Sequence, residues 1–245
     1  MRSEEQIMER LEEQMKEIEA LGFEVVGIFL YGSQNYEMET ESSDIDSKAI
    51  VVPSFDDFLE EKKPCSFIYK FDNGEQVDCK DIRTMFANIK KQNINFVEIL
   101  FTKYFILNPK YEELFLPVLR RREYIGRYNP TAALNCMLGM AYQKEKALCH
   151  PYPATEEKIE KWGFDPKQLH HILRLQFFME KYCDGYPYHS CLIPFFRTKL
   201  KKCKENKDNL TASEATEIAT KALENMKKMK DDFLNSDQFK KNIEM

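Results

Sequence analysis

Residues 28–36 read Ile-Phe-Leu-Tyr-Gly-Ser-Gln-Asn-Tyr, and residues 43–52 read Ser-Asp-Ile-Asp-Ser-Lys-Ala-Ile-Val-Val. Each contains an apolar run of strand length, and the first run ends in the turn pair Gly32-Ser33. Apolar runs bounded by turn residues suit buried strands. Side chains at i and i+2 of a strand lie on one face, about 6.6 Å apart along it. Asp44 and Asp46 can therefore share a site while Ile45 turns into the core. Two carboxylates that close form a hard-cation site, and Mg²⁺ pairs carboxylates with substrate phosphates. Gly32 permits a close backbone approach to a ligand. Ser33 adds a hydroxyl and, if a helix starts there, amides suited to phosphate.

Outward from this centre, the chain alternates helices and strands as far as about residue 125. Residues 3–21 read as an amphipathic helix with Ser3 and Gln6 as a capping box and Gly22 as its stop. Strands are expected over 23–31, 45–52, 66–71 and 75–80, the last two joined through Asp72-Asn73-Gly74. Asp78 lies between Val77 and Cys79 on the returning strand, where a further metal-site carboxylate would sit. Asp81 competes for that role but is better placed as the N-cap of a helix over 82–91. Asn95 with Glu98 is read as the cap of the next helix, and Asn108-Pro109 opens another.

The combination of Tyr31-Gly32-Ser33-Gln34-Asn35-Tyr36, Ser43-Asp44-Ile45-Asp46, Lys80-Asp81-Ile82-Arg83 and residues 92–101 resembles the nucleotidyltransferase superfamily that includes DNA polymerase beta. Within it, the text resembles predicted nucleotidyltransferases related to the RNA-repair-associated polymerase-beta-like family. The resemblance covers roughly residues 23–125. It implies an α+β fold: a polymerase-beta-like domain with a small mixed sheet flanked by helices, then an all-helical domain. It implies metal-dependent transfer of a nucleoside monophosphate from an NTP to an acceptor hydroxyl, with pyrophosphate released. Asp44, Asp46 and Asp78 would bind Mg²⁺ or Mn²⁺, Asp78 also orienting the acceptor hydroxyl, and Gly32 and Ser33 would hold phosphates. RNA, protein and small molecules are all acceptors within the superfamily. The sequence departs from the branch at Glu37, where glycine is usual.

After Gly126 the sequence reads as helices joined by short loops, so domains are expected at 1–125 and 126–245. Helices are expected over 129–148, 154–161, 166–182, 190–205 and 211–234. On the 166–182 helix, His171 and Arg174 share a face at i, i+3, and Lys167 lies one turn earlier. This basic stripe reads either as a triphosphate or acceptor contact in a cleft between the domains, or as a core histidine with an ion-paired arginine.

Net charge is −5, so no overall field draws the chain to nucleic acid or an anionic membrane. Arg197, Lys199, Lys201, Lys202, Lys204 and Lys207 form a local basic patch of the kind that contacts RNA or DNA phosphates, but with no obvious stacking aromatics beyond Phe195 and Phe196 it reads rather as a solvated helix face. No run reaches the roughly 18 apolar residues of a membrane span. The seven cysteines lack Cys-x-x-Cys spacing and suit reduced thiols. Cys183, His189 and Cys191 are of zinc-ligand type but match no standard spacing. With Glu4 and Glu5 near the start and no apolar leader, the expected location is cytoplasmic. The alternative to an enzyme is a weak or inactive nucleotide-binding regulatory module on the same fold.

Overall fold

The computed structural model describes residues 2–39, 43–153 and 155–236. Two compact units divide at Tyr128 and Asn129. The first is α+β, a five-stranded mixed sheet with helices on its faces. The second is helical.

In the first unit, α1 (Glu4–Ala20) opens with Ser3 accepting from the Gln6 amide and the Gln6 side chain returning to the Ser3 amide. Ile7, Leu11, Met15 and Ile18 bury its inner face. Strand β1 (Glu24–Leu30) is buried from Val25 onward and is an inner strand of the sheet. It pairs antiparallel with β2 (Ser47–Val52). The short helix α2 (Phe55–Leu59) leads to β3 (Ser66–Lys70), which returns through residues 71–75 into β4 (Gln76–Asp81). Strand β4 lies parallel to β2, with Lys48 beside Asp78. Helices α3 (Ile82–Lys90) and α4 (Ile94–Val97) follow, then one 3-10 turn over Glu98–Phe101. The three-residue β5 (Phe105–Leu107) completes the order β3-β4-β2-β1-β5. Helices α5 (Pro109–Arg120) and α6 (Arg122–Arg127) close the unit.

The sheet separates two apolar layers. On the α1 side, Ile28, Leu30, Ile45, Ala49, Val51, Val77 and Cys79 pack together. On the other, Val26, Phe29 and Ile50 meet Met85, Phe96, Ile99 and Phe115. Burying one such side chain contributes about 1.5–3 kcal/mol. Strand β5, which the sequence does not announce, approaches at Gly27: a Cβ there would lie 2.8 Å from Leu107 Cδ2 and 2.9 Å from the Ile106 carbonyl oxygen. Asn95 does not cap α4. Asn93 does, accepting from the Asn95 amide at 3.1 Å.

In the second unit, α7 (Pro130–Leu148) and α8 (Glu156–Trp162) lead to α9 (Pro166–Cys183), against which α7, α10 (Tyr188–Leu192), α11 (Arg197–Lys204) and α12 (Ala212–Asn235) pack. Ala154, where the sequence starts α8, lies outside the described residues. The single helix expected over 190–205 is two, because Pro194 supplies no amide for a continuous helix. Leu148, Phe164, Leu169, Ile172, Cys203 and Ala219 form much of the core, with Trp162 packed on it. None of the seven cysteines is in a disulfide. No helix of the described residues is long and apolar enough to cross a membrane.

Candidate active site

The alternation around β2 places the charges. Ile45, Ala49 and Val51 face α1, which turns Asp46, Lys48 and Ile50 to the opposite face. On β4, Val77 and Cys79 face α1 and Asp78 turns the same way as Lys48. Asp46 and Asp78 thus share a sheet face. Asp46 lies just before β2: its carbonyl accepts from the Tyr31 amide at 3.1 Å, and its carboxylate accepts from the Gln76 amide at 3.1 Å. Asp44 is exposed.

Asp78 forms ion pairs with the Lys48 ammonium and with that of Lys80, the latter at 2.9 Å. Lys48 is only 3 % exposed, its ammonium 5.0 Å from the Tyr31 ring centroid and 4.7 Å from that of Phe96. The Asp78 carboxylate and the two ring faces thus compensate the burial of the Lys48 head group. Tyr31 stands where several charges converge. Burial pushes its hydroxyl above the ordinary tyrosine range, and the negative charges of Asp46, Asp78 and Glu98 push it further. It therefore remains an O–H donor.

The loop after β1 is held rather than loose. Gly32 has φ 90° and ψ −149°, a conformation open essentially to glycine alone, and a Cβ there would meet open space. Glycine is needed at this point for the backbone angle rather than for clearance. Ser33–Tyr36 forms a single 3-10 turn in place of a helix, so the phosphate-binding argument rests on the loop's own amides and hydroxyl. Asn35 Nδ2 donates to the Leu30 carbonyl at 2.9 Å, and Thr102 Oγ1 donates to Asn35 Oδ1 at 2.8 Å. The Tyr36 hydroxyl donates to Glu98, which is 1 % exposed. Glu98 is therefore an inward anchor of this loop and not a helix cap. Gln34 Nε2 reaches the Asp44 carbonyl at 3.4 Å, linking the two signature segments.

Asp81 performs the capping task its position suggests. It accepts from the Arg83 amide at 2.8 Å and pairs with the Arg83 guanidinium at 2.6 Å. Burial raises its carboxyl pKa, but the Arg83 bonds outweigh this and leave it below the usual carboxylate range.

Lys167, His171 and Arg174 all lie on α9 of the helical unit. Lys167 is exposed, His171 half-buried and Arg174 buried. Burial holds the His171 imidazole well below its usual value, and Arg174, His170, Lys144 and Lys167 add to this. Lys144 of α7 thus belongs to the same basic neighbourhood, which single-helix periodicity does not reveal. His170 brings its Nδ1 within 3.1 Å of the Leu200 carbonyl oxygen. Near His189, Cys191 Sγ donates to the Pro187 carbonyl at 3.4 Å.

The donor chemistry of Asp44, Asp46 and Asp78 suits a hard cation, but the lysines already occupy Asp78. Among the described residues, no three His, Cys, Asp or Glu side chains are grouped so as to hold a metal ion. An ion held by all three aspartates would have to draw Asp78 away from Lys48.

No protein-family model matches the chain. No curated protein sequence matches it. Among solved structures, it is similar to a nucleotidyltransferase-like protein from Exiguobacterium sibiricum 255-15, at 10% identity and a TM-score of 0.34, over 93% of this chain and 76% of that one. A likeness that loose assigns no chemistry to the residues above.

Proposed function

We propose that the chain is a metal-dependent nucleotidyltransferase, moving a nucleoside monophosphate from an NTP to an acceptor hydroxyl. The observation that carries this reading is the shared sheet face of Asp46 and Asp78 beside the open space at Gly32. Asp44 and Asp46 would hold Mg²⁺ or Mn²⁺. The ion would neutralise triphosphate charge, the main requirement of this reaction class. Gly32 and Ser33 would position the phosphates through amide and hydroxyl donors. Asp78 would accept a hydrogen bond from the acceptor hydroxyl, which requires it to loosen its hold on Lys48 or Lys80. Tyr31, kept protonated, would donate towards the carboxylates or the departing phosphate. Lys167, His171 and Arg174 are proposed as phosphate or acceptor contacts, His171 as a neutral imidazole.

The test is pyrophosphate release with each NTP, Mg²⁺ or Mn²⁺, and RNA, protein or small-molecule acceptors. Release that needs the divalent ion and falls at least 100-fold in both Asp44→Ala and Asp46→Ala is expected. No release with any acceptor, together with NTP binding indifferent to Asp44→Ala, would overturn the reading.

The two lysines on Asp78 favour a second reading, a module that binds a nucleotide without transferring it. Calorimetry showing tight NTP binding without divalent ion, and no turnover, would select it.

A further inference from the structure

We propose that the surface formed by Phe195, Phe196 and the exposed cations of α11 binds single-stranded nucleic acid. This does not depend on the nucleotidyl-transfer reading. The sequence admits phosphate contact at this patch but favours a solvated helix face. The structure adds that Phe195 is 59% exposed and Phe196 58% exposed, side by side at the entrance to that helix.

Both rings are backed by other side chains. Tyr186 meets Phe195 edge-on, centroids 6.1 Å apart, and the Lys181 ammonium lies 3.8 Å from the Phe195 centroid. Lys181 is itself held by the carbonyls of Ser190, at 2.9 Å, and Ile193. Phe196 leans on Phe177, centroids 5.6 Å apart. Two exposed rings fixed in this way are a stacking platform, and every base has a π-face to lay on one.

The helix that follows reads Arg-Thr-Lys-Leu-Lys-Lys-Cys-Lys, five cations with no acid. Arg197, Lys199 and Lys202 are exposed, while Leu200 and Cys203 are buried in the unit. Burial is the main reason the charged form of Lys204 is disfavoured, and Lys167 and Lys158, both outside α11, act the same way while Glu205 opposes them, so cations from neighbouring elements lie close to the helix. In a chain of net charge −5, this concentration of cations is local. It suits a phosphate backbone running past the rings.

Two features favour a single strand over the alternatives. Stacking on exposed rings requires unpaired bases, which a duplex withholds. A membrane surface calls for an apolar helix face to insert, but the apolar residues of α11 face the protein core. Ring stacking and phosphate pairing do not separate ribose from deoxyribose, so both strands are tested.

The experiment is fluorescence anisotropy of the full chain with labelled mixed-sequence RNA and DNA strands of about 12 nucleotides, a length within the usual site size. Salt is varied between about 50 and 200 mM. Binding should weaken with salt, with a log–log slope of about −2 to −3.5 for roughly three to five phosphate contacts. The triple variant Arg197→Glu, Lys199→Glu, Lys202→Glu should lose at least tenfold in affinity and flatten the slope. The double variant Phe195→Ala, Phe196→Ala should lose about tenfold or more with the slope kept, since stacking carries no counterion release. Phe196→Trp in the Phe195→Ala background should restore part of that loss. Circular dichroism melts confirm that each variant is folded. No binding to either strand at low salt overturns the proposal. So does binding that neither variant set changes, or capture by anionic phosphatidylserine vesicles without binding to oligonucleotides.

Discussion

Glu37 sits in the left-handed region at φ 54°, immediately after the turn that carries Ser33. A non-glycine residue there costs about 1–2 kcal/mol in backbone strain. Glycine would relieve it, but gains freedom in the unfolded chain worth about 0.4–1 kcal/mol. Glu37→Gly should therefore raise urea-unfolding stability by at most roughly 0.5–1 kcal/mol, reduced by whatever the Glu37 side chain's own interactions contribute. A loss would mean that the carboxylate itself holds the loop. Lys48 gives the opposite case. Replacing it with Met leaves Asp78 with the more exposed Lys80 alone, and losing one partner of a buried pair costs about 3–5 kcal/mol. Because Asp78 keeps Lys80, Lys48→Met should cost less than this range, about 2–3 kcal/mol, by urea titration. If a divalent ion competes with Lys48 for Asp78, the same variant should also bind Mn²⁺ more tightly. That Asp46 and Asp78 share a sheet face was legible, because strand alternation assigns it. The Lys48 pair with Asp78, and the Glu98 tie to Tyr36, were not, because they depend on register between segments 30 or more residues apart.

Among the elements, α1 is fastened to the sheet by more than its apolar stripe. Glu75, 1 % exposed, pairs with Arg10, and Gln14 Nε2 donates to the Ile45 carbonyl at 2.8 Å. The anchor thus reaches the segment bearing Asp44 and Asp46. Burial acts to raise the Glu75 carboxyl, but Arg10 and Asn73 prevail and hold it below its ordinary value. A depressed carboxyl contributes stability that is complete above the unfolded value, near 4.3, and is lost as pH falls through the lower folded value. Glu75→Gln should cost about 2–3 kcal/mol at neutral pH and make the urea midpoint less sensitive to pH below about 4.5. An unchanged acid slope would show that Glu75 is not a source of it. A cap made this level of the fold readable: the Ser3 box sets the start of α1, and in the structure Thr211 and Glu214 close the same kind of box at α12. Strand β5 escaped because three residues carry no period, and its place is set by clearance at Gly27.

Across the molecule, the two units differ in what acid does to them, and the chain's one tryptophan, Trp162, reports on the helical unit alone. In that unit His170 is 5 % exposed and its pKa is pushed down to about 4. Burial is the largest cause and Arg174, Lys204 and Lys167 add to it, while the Leu200 carbonyl opposes them. A histidine lowered on folding favours the unfolded chain as soon as the latter can take a proton. Stability is therefore complete above pH 6.5, the unfolded value, and declines as pH falls towards about 4, below which both states are charged. Each pKa unit corresponds to about 1.4 kcal/mol, so His170 alone accounts for an order of 3 kcal/mol across this window. His171, lowered in the same direction, extends the decline to more acid pH. Urea unfolding followed by Trp162 fluorescence should show that loss beginning near pH 6.5, well above the acid range of Glu75. His170→Gln should remove most of the slope between about pH 6.5 and 4 whatever it does to stability at pH 8. If the slope persists in that variant, the protonation behind it belongs to another group, and a neutral His170 in the helical core is wrong.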